Sequence, residues 1–358
     1  MHLPEELLDE IFGRLPPNDR RSLQNCSLVS KSWLQPGRRL LFAHVVVKSA
    51  TYRSWLDNIS PTNTGLLCHA RSLTYIFGDG CGISLLRDYL PSFFQLQQLA
   101  FSVTDIESTI CDHLEWFSAF RHTLSSLSLS QVSITWSAFI VLVGYFPNLR
   151  DLHIFKIWFR KDDWPVPCLP HALRGRLLVS FGTAMRFPFD RLVGLKLEYE
   201  EVEVDEVCEA CLVAAVERTL KRLKMGPLYS KSTLSLSRCP ELCQLEIITM
   251  HPQEQERILI SSITSTSLRK IIFAPVTKRI TWGLLWDHPC WMPFDDMICG
   301  FVDRLQASGY KHTLELEFRV NSVELGEEVH RKDFLPKFRE KGLVRIVEVL
   351  SERVWELP

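Results

Sequence analysis

The sequence predicts an α/β protein: a small helical motif at the N-terminus, then a solenoid with parallel strands on a concave face and helices on a convex one. Three observations lead there. Two amphipathic helix patterns crowd into the first 42 residues. The pattern LxxLxL then returns along most of the remaining chain. Helix-period segments lie between its copies. These features divide the 358 residues into a helical motif at 1–47, a linker helix or first solenoid turn at 48–65, and an irregular repeat region at 66–358.

Composition removes several function classes. With 41 Lys and Arg against 42 Asp and Glu, the formal net charge is −1. So balanced a chain has no electrostatic footprint for nucleic acid or an anionic membrane, and neither is expected as a partner. Hydrophobic residues at 46% supply enough apolar surface to offset the ordering entropy of folding. The start, Met1-His2-Leu3-Pro4-Glu5-Glu6, has neither the basic nor the apolar region of a secretory signal. The longest plain apolar stretch, Phe139 to Phe146, is far too short for a bilayer. Eleven cysteines, odd in number and irregular in spacing, read as free thiols in a reducing compartment. The expected location is cytoplasmic and/or nuclear, not secreted.

In the helical motif, Pro4 suits a first helical turn and Glu5 and Glu6 complement its positive end. Leu7, Leu8, Ile11, Phe12 and Leu15 follow at three- and four-residue spacing and make one apolar stripe. Pro16-Pro17-Asn18-Asp19 stops that helix and opens a second, which carries Leu23, Cys26, Leu28, Val29 and Trp33. Gln35-Pro36-Gly37 is expected to break the second helix before Arg38-Arg39-Leu40-Leu41-Phe42. Three short helices cannot bury such a stripe among themselves. The apolar residues must face the rest of the chain or another protein.

Leu3-Pro4, Glu6-Leu7-Leu8, Ile11-Phe12, Leu15, Cys26-Ser27-Leu28-Val29-Ser30-Lys31-Ser32-Trp33-Leu34 and Arg38-Arg39-Leu40-Leu41-Phe42 together resemble an F-box, most closely that of fungal F-box proteins. Ser30 stands where many members have Cys. The resemblance covers residues 3–47. It implies a motif that docks the Skp-type adaptor of an SCF (Skp–cullin–F-box) ubiquitin ligase and, through the adaptor, cullin. Carried over residue by residue, it implies an adaptor-facing set of Leu3, Pro4, Leu7, Leu8, Ile11, Leu15, Leu28, Val29 and Trp33. Trp33 suits either the adaptor or the internal packing.

The repeat runs through Leu96–Phe101, Leu124–Leu129, Leu149–Ile154, Leu192–Leu197, Leu220–Met225, Leu242–Ile247 and Leu268–Phe273. Weaker copies start near Ala70 (with Leu73 and Tyr75), Lys311 (Leu314, Leu316) and Val344 (Val347, Val349). First leucines are separated by 28, 25, 43, 28, 22 and 26 residues, mostly within the roughly 20–29 of leucine-rich repeats. The long interval holds an insertion near 158–188, rich in Pro and Trp, and a second insertion lies near 275–310. Helix patterns sit between strands. Thr104 with Glu107 reads as a capping box before Ile106, Ile110, Leu114 and Phe117. Asp205 opens a segment with Val207, Cys211, Ala214 and Ala215. Asp295 opens one with Ile298, Phe301 or Val302, and Leu305. The asparagine that follows the strand in the tidiest repeats is missing. The region is similar to the irregular leucine-rich-repeat regions of F-box proteins, from about 66 to 350. An ordinary α/β domain with Leu-rich strands is the plain alternative.

Catalytic signals are weak. Cys208/Cys211 and Cys239/Cys243 offer two thiol pairs of zinc-site type, but Cys211 falls on a buried stripe, and no metal or other cofactor is expected. Gly78-Asp79-Gly80-Cys81-Gly82 lacks the Lys-Ser/Thr of a phosphate loop and reads as a turn. No Cys–His pair is placed together by spacing, so no catalytic residue is assigned and the chain is not expected to be an enzyme. The acidic run Glu198–Glu209 reads as a solvated face, followed by basic Arg218, Lys221, Arg222 and Lys224.

Binding chemistry lies between the leucines. Strand alternation sends those residues to the concave side, where stacked strands turn them into a ladder. It begins small and hydroxylic (Gln98, Ala100, Ser102, Ser126, Ser128, Ser130). It ends charged, with Gln244, Lys270 and Ile272 among its later members. The candidate target-binding residues are Asp151, His153, Phe155, Lys196, Glu198, Arg222, Lys224 and Glu246, with Phe155 the natural anchor. The expected function is a non-catalytic substrate receptor of an SCF ligase, its arc holding an unidentified target protein. The alternatives are an F-box scaffold or regulator acting outside a ligase, or an interaction solenoid with no ubiquitin role.

Overall fold

The computed structural model describes residues 7, 10, 11, 14, 20–48, 61–76, 87–105, 111–155, 157–159, 191–198, 213, 216–226, 234–249, 254–274, 291–310, 312–318 and 335–341. The chain forms two compact units, Met1–Pro167 and Cys168–Pro358.

The first unit opens with helix α1 (Arg20–Ser27) and helix α2 (Lys31–Leu41). Leu23 is buried between them, and Cys26, Trp33 and Leu41 pack around it. The expected break at Gln35-Pro36-Gly37 does not occur: α2 runs through Pro36. Packing explains why. Pro36 and Gly37 are both buried, and a Cβ on Gly37 would lie 2.7 Å from Ser27 Cβ and 3.2 Å from Ser27 Cα. The glycine lets the end of α1 touch the backbone of α2, and this tertiary contact outweighs the local cost of a proline inside a helix.

Five strands follow in the first unit: β1 (His44–Lys48), β2 (Ser72–Ile76), β3 (Gln98–Asp105), β4 (Ser126–Ile134) and β5 (Asp151–Phe155). They are parallel and lie in chain order. Strand pairing therefore starts at His44, inside the segment that the sequence assigns to the helical motif. Val45 and Val47 alternate inward as the repeat leucines do, although no leucine marks them. Of the expected linker at 48–65, the described part begins a 3₁₀ helix, Pro61–His69. Helix α3 (Trp136–Tyr145) sits between β4 and β5, and its N-cap Thr135 accepts a hydrogen bond from Ala138 N at 3.2 Å. A two-residue strand, β6 (Trp158–Phe159), pairs with the end of β4 at the start of the first expected insertion.

The second unit repeats the plan with β7 (Gly194–Glu198), β8 (Arg222–Met225), β9 (Gln244–Ile248), β10 (Lys270–Ala274) and β11 (Glu315–Phe318). These too are parallel neighbours in chain order. Helix α4 (Glu254–Ser261) lies between β9 and β10, α5 (Trp291–Ala307) between β10 and β11, and α6 (Pro336–Glu340) near the end. The second expected insertion, 275–310, thus contains α5. Its stripe of Phe294, Ile298, Phe301, Val302 and Leu305 is buried.

Register makes the repeat physical. Leu73, Leu99, Leu127 and Leu152 are partners across neighbouring strands, and so are Tyr75, Phe101, Leu129 and Ile154. In the second unit the rows are Leu195, Leu223, Leu245, Ile271, Leu316 and Leu197, Met225, Ile247, Phe273, Phe318. The first leucines, Leu96, Leu124, Leu149, Leu192, Leu220, Leu242 and Leu268, are buried as well. Each such side chain contributes about 1.5–3 kcal/mol on leaving water. The carbonyl just after the first leucine accepts two N–H groups from the next repeat. Gln97 O takes Ser125 N (2.8 Å) and Ser126 N (3.0 Å), and Val193 O, Lys221 O and Cys243 O do the same for their neighbours.

Hydroxyl groups stand in for the missing asparagine. Thr123 Oγ1 donates to Leu96 O at 2.8 Å, Thr219 Oγ1 to Leu192 O at 2.8 Å, and Ser265 Oγ to Leu242 O at 2.8 Å. Tyr310 OH reaches Leu268 O at 2.6 Å. In each case a side chain of one repeat satisfies the first-leucine carbonyl of the repeat before it, a group that burial would otherwise leave unpaired.

Two helix starts are corrected. Thr104 lies within β3, because β3 pairs with β4 as far as Asp105 and Ser133. The described part of that expected helix, Cys111–Phe120, is 3₁₀, with Phe117 and Phe120 buried against Phe146. Asp295 does not open α5, which begins at Trp291. It is buried, and its carboxylate instead accepts Lys337 N (3.0 Å) and Phe338 N (3.1 Å), capping the start of α6. Of the Asp205 segment, only Val213 and Val216 near its end are described as helical, both buried. The weak copy near Val344 lies outside the described residues.

Gly37→Ala is expected to push α1 and α2 apart at Ser27 and destabilise the helical motif by about 1–3 kcal/mol. Limited proteolysis of the N-terminal segment reads it. Wild-type resistance in the variant would mean that the close approach carries no stability.

Candidate functional site

Helix formation in the N-terminal segment leaves apolar side chains outside. Leu7 is 45% exposed and Ile11 38%, one helical turn apart on the same face. Arg14 N donates to Glu10 O, closing the turn Glu10–Arg14, and the two side chains form an exposed ion pair. Leu28 is 81% exposed and Val29 65%. They occupy the turn between α1 and α2, where Leu28 N bonds Asn25 O and Val29 N bonds Cys26 O, each at 3.1 Å. Four apolar residues of the motif thus meet solvent, two of them adjacent in one turn. Trp33 differs, being half-buried against Leu23. Leu3, Pro4, Leu8 and Leu15 lie outside the described residues.

The helical motif meets the first repeat where the Pro61–His69 3₁₀ helix packs on α2. Burial, then Arg39 and Arg38, holds the His69 imidazole below its usual 6.5. The folded state therefore binds fewer protons there than the unfolded chain. Its contribution is whole above pH 6.5 and is lost as pH falls through the lowered native value. His69→Gln is expected to flatten the fall in thermal midpoint between pH 7 and 5. An unchanged slope would place the acid sensitivity elsewhere.

The concave ladder divides by chemistry. In the first unit its central rows read Ser72, Gln98, Ser126, Asp151 and Thr74, Ala100, Ser128, His153. His153 is exposed, and Asp151 and Phe155 are half-buried. In the second unit, Lys196, Lys224, Glu246, Ile272 and Glu317 form one row. Arg222 is exposed and Lys196 half-buried, while the Glu198 side chain lies outside the described residues.

Glu246, expected to face a target, is buried. Its carboxylate lies 2.6 Å from Lys224 Nζ. Ile272 and Glu317 are buried too, and Lys270 Nζ joins Glu317 and Glu315. Burial lowers the pKa of Lys270, but hydrogen bonds to the two glutamates outweigh it, and the net shift is upward. A buried carboxylate is costly without a cation, so opposite charges on adjacent strands pair with each other. Lys224, half-buried, and Glu246 are thus each other's partners across adjacent strands.

The candidate metal ligands do not assemble among the described residues, where no group of three or more His, Cys, Asp or Glu could hold an ion. Cys208 and Cys211, and the Gly78–Gly82 loop, lie outside them. Cys239 is buried, and Cys243 Sγ donates to Lys221 O at 3.0 Å. Burial and then Glu217 push the Cys239 thiol up to about 12, against a smaller opposite pull from Arg238. Cys239 is expected to stay unlabelled by iodoacetamide in the native chain at pH 8 and to label once urea unfolds it. Rapid native labelling, read by mass spectrometry, would contradict that burial. No helix among the described residues is long and apolar enough to cross a membrane.

Exposed apolar helices in front of parallel, leucine-lined strands define a protein-interaction architecture. Residues 1–35 match the family model of the F-box domain, so the chain carries an F-box ahead of a leucine-rich-repeat-like solenoid. Among solved structures, an internalin from Listeria monocytogenes str. 4b F2365 is similar at 14% identity, with a TM-score of 0.29 and 62% of this chain covered. A TLR13–ssRNA13 complex is similar at 14% identity, with a TM-score of 0.36 and 66% of this chain covered. The matched region spans 60% of the internalin and 33% of the TLR13 chain. No curated protein sequence matches the chain.

Proposed function

We propose that this chain is the substrate-recognition subunit of an SCF-type ubiquitin ligase. The observation that carries the reading is the exposure of Leu7, Ile11, Leu28 and Val29 in a segment that matches the F-box domain. Those side chains dock a Skp-type adaptor, and the adaptor brings cullin. Leu3, Pro4, Leu8 and Leu15 belong to the same adaptor-facing set by resemblance. The repeat region holds a target protein through its concave strands.

The chemistry assigned to this chain is positional. Tethering a target beside the ubiquitin-charged enzyme turns a bimolecular encounter into a local one, with an effective concentration set by geometry. Such a receptor needs a docking face, a rigid arm and a second face, and no bond-making group of its own. Its place of work is the cytoplasm, the nucleus or both.

Leu28→Asp with Val29→Asp replaces two exposed apolar contacts by charges. Because both side chains already meet solvent, folding is expected to survive, while burying the charges in a contact costs about 2–3 kcal/mol each. Co-purification is expected to lose adaptor and cullin together. Retained adaptor in a folded variant would remove the docking claim. Wild-type chain that brings down adaptor without cullin would favour the scaffold reading.

A further inference from the structure

The bends that precede the strands carry a chemistry of their own in the first unit. Phe93, Phe120 and Phe146 are the buried phenylalanines of three consecutive bends, and Phe120 and Phe146 stack at 6.3 Å. The residue after the first of them, Phe94, is 48% exposed. The residue after the second, Arg121, is exposed as well. Its guanidinium lies over the half-buried Tyr145 ring, 4.9 Å from the centroid, and its Nε donates to Tyr145 O at 3.1 Å. Asn148 Nδ2 donates to His122 O at 2.6 Å, and Thr123 Oγ1 reaches Phe94 O at 3.4 Å. The three bends are thus tied to one another, and Phe94, Arg121 and Tyr145 stand on a fixed support.

A second row lies closer to the strands. Arg71, Gln97, Ser125 and Arg150 hold equivalent positions, since the carbonyl of each of the first three accepts the N–H of the next. Arg71 and Arg150 are exposed, and three strand spacings put their backbones about 14 Å apart. Of the carboxylates described in this unit, Glu10 pairs with Arg14, Glu115 and Asp151 already interact within the chain, and Asp88 follows Arg87 in sequence. Asp151 belongs to the concave row beside Ser126.

We infer that this bend edge is a second protein-binding surface and that its partner is a segment carrying an apolar side chain flanked by Asp or Glu. It uses none of the residues assigned to the adaptor or to the concave rows, and it does not depend on the ligase reading. Aromatic and arginine side chains on a fixed support are the composition of interface hot spots. Phe94 and the Tyr145 ring offer apolar contact to one side chain. Arg121, its Nε engaged by Tyr145 O, presents its two terminal nitrogens end-on, a geometry that takes a carboxylate through two parallel hydrogen bonds. About four extended residues cover the distance from Arg71 to Arg150, so two carboxylates that far apart reach one arginine each.

Dodecapeptides displayed on phage and panned on the purified full chain test this. Enriched peptides are expected to place Phe, Trp or Leu among two or more Asp or Glu. Phe94→Ser and Arg121→Glu are each expected to weaken a synthesised winner by about tenfold or more, while Arg222→Glu, on the second unit, leaves it unchanged. Circular dichroism shows which variant is folded, and Phe94→Ser, at an exposed position, suffices if the Arg121 variant is not. Winners without acidic residues, winners that survive both substitutions, or no enrichment over an unrelated protein would each overturn the inference. So would a winner that binds about tenfold tighter with phosphoserine in place of its acidic residues, or a uridine dodecanucleotide that displaces it. Cullin capture is a separate readout. A chain that binds acidic peptides without cullin keeps this inference and loses the ligase reading.

Discussion

Everything in the repeat region depends on one backbone acceptor, the carbonyl just after the first leucine of each repeat. It takes two N–H groups from the next repeat, as Gln97 O does from Ser125 and Ser126. Those two bonds fix where the next strand starts, and with it the register. A slip of one residue would turn every leucine to the other face. The hydroxyl bonds from Thr123, Thr219 and Ser265 act one residue earlier, on the first-leucine carbonyl itself. Intervals between repeats can then vary from 22 to 43 residues, because the joint is held by the bend and not by the length of chain between bends. Loop closure of longer intervals adds little cost.

This constraint decides what was legible in the sequence. LxxLxL reports the inward row directly, since each leucine lies beside its register partners on the adjacent strands. β1 escaped because valines serve in place of leucine, and the bend carbonyl belongs to Ala43. The outward row was readable as a list but not as chemistry. Whether Glu246 meets a target or a lysine depends on which residue stands beside it on the adjacent strand, and the partner, Lys224, is separated from it by an entire repeat. Spacing identified the row without its pairing.

The helix boundaries failed for the same kind of reason. Pro36-Gly37 is a strong local stop, yet α1 needs a glycine where it touches α2. Thr104 is a sound cap, but β4 offers the strand two more partners. Asp295 is a cap, as its residue type suggests, though of α6, a helix some 40 residues further along the chain. A cap is worth about 1 kcal/mol and an interior proline costs about 3 kcal/mol, amounts that the burial of one or two side chains matches.

The N-terminal segment obeys the opposite logic. A solenoid buries its apolar faces by stacking another repeat on each, so a terminal repeat must be closed by something that is not a repeat. α1 and α2 precede β1 directly, and the C-terminal end of α2 runs into the bend at Ala43. Two short helices have two jobs with one set of apolar residues. Leu23, Trp33 and Leu41 turn inward and hold the pair together. Leu28 and Val29 cannot join them, because the turn that connects the helices points both outward. Exposing them costs the isolated chain solubility and returns nothing to its own fold. Their exposure fits a face that a second surface covers. That is why the outer face of this small motif, and not the larger solenoid, carries the case for an adaptor.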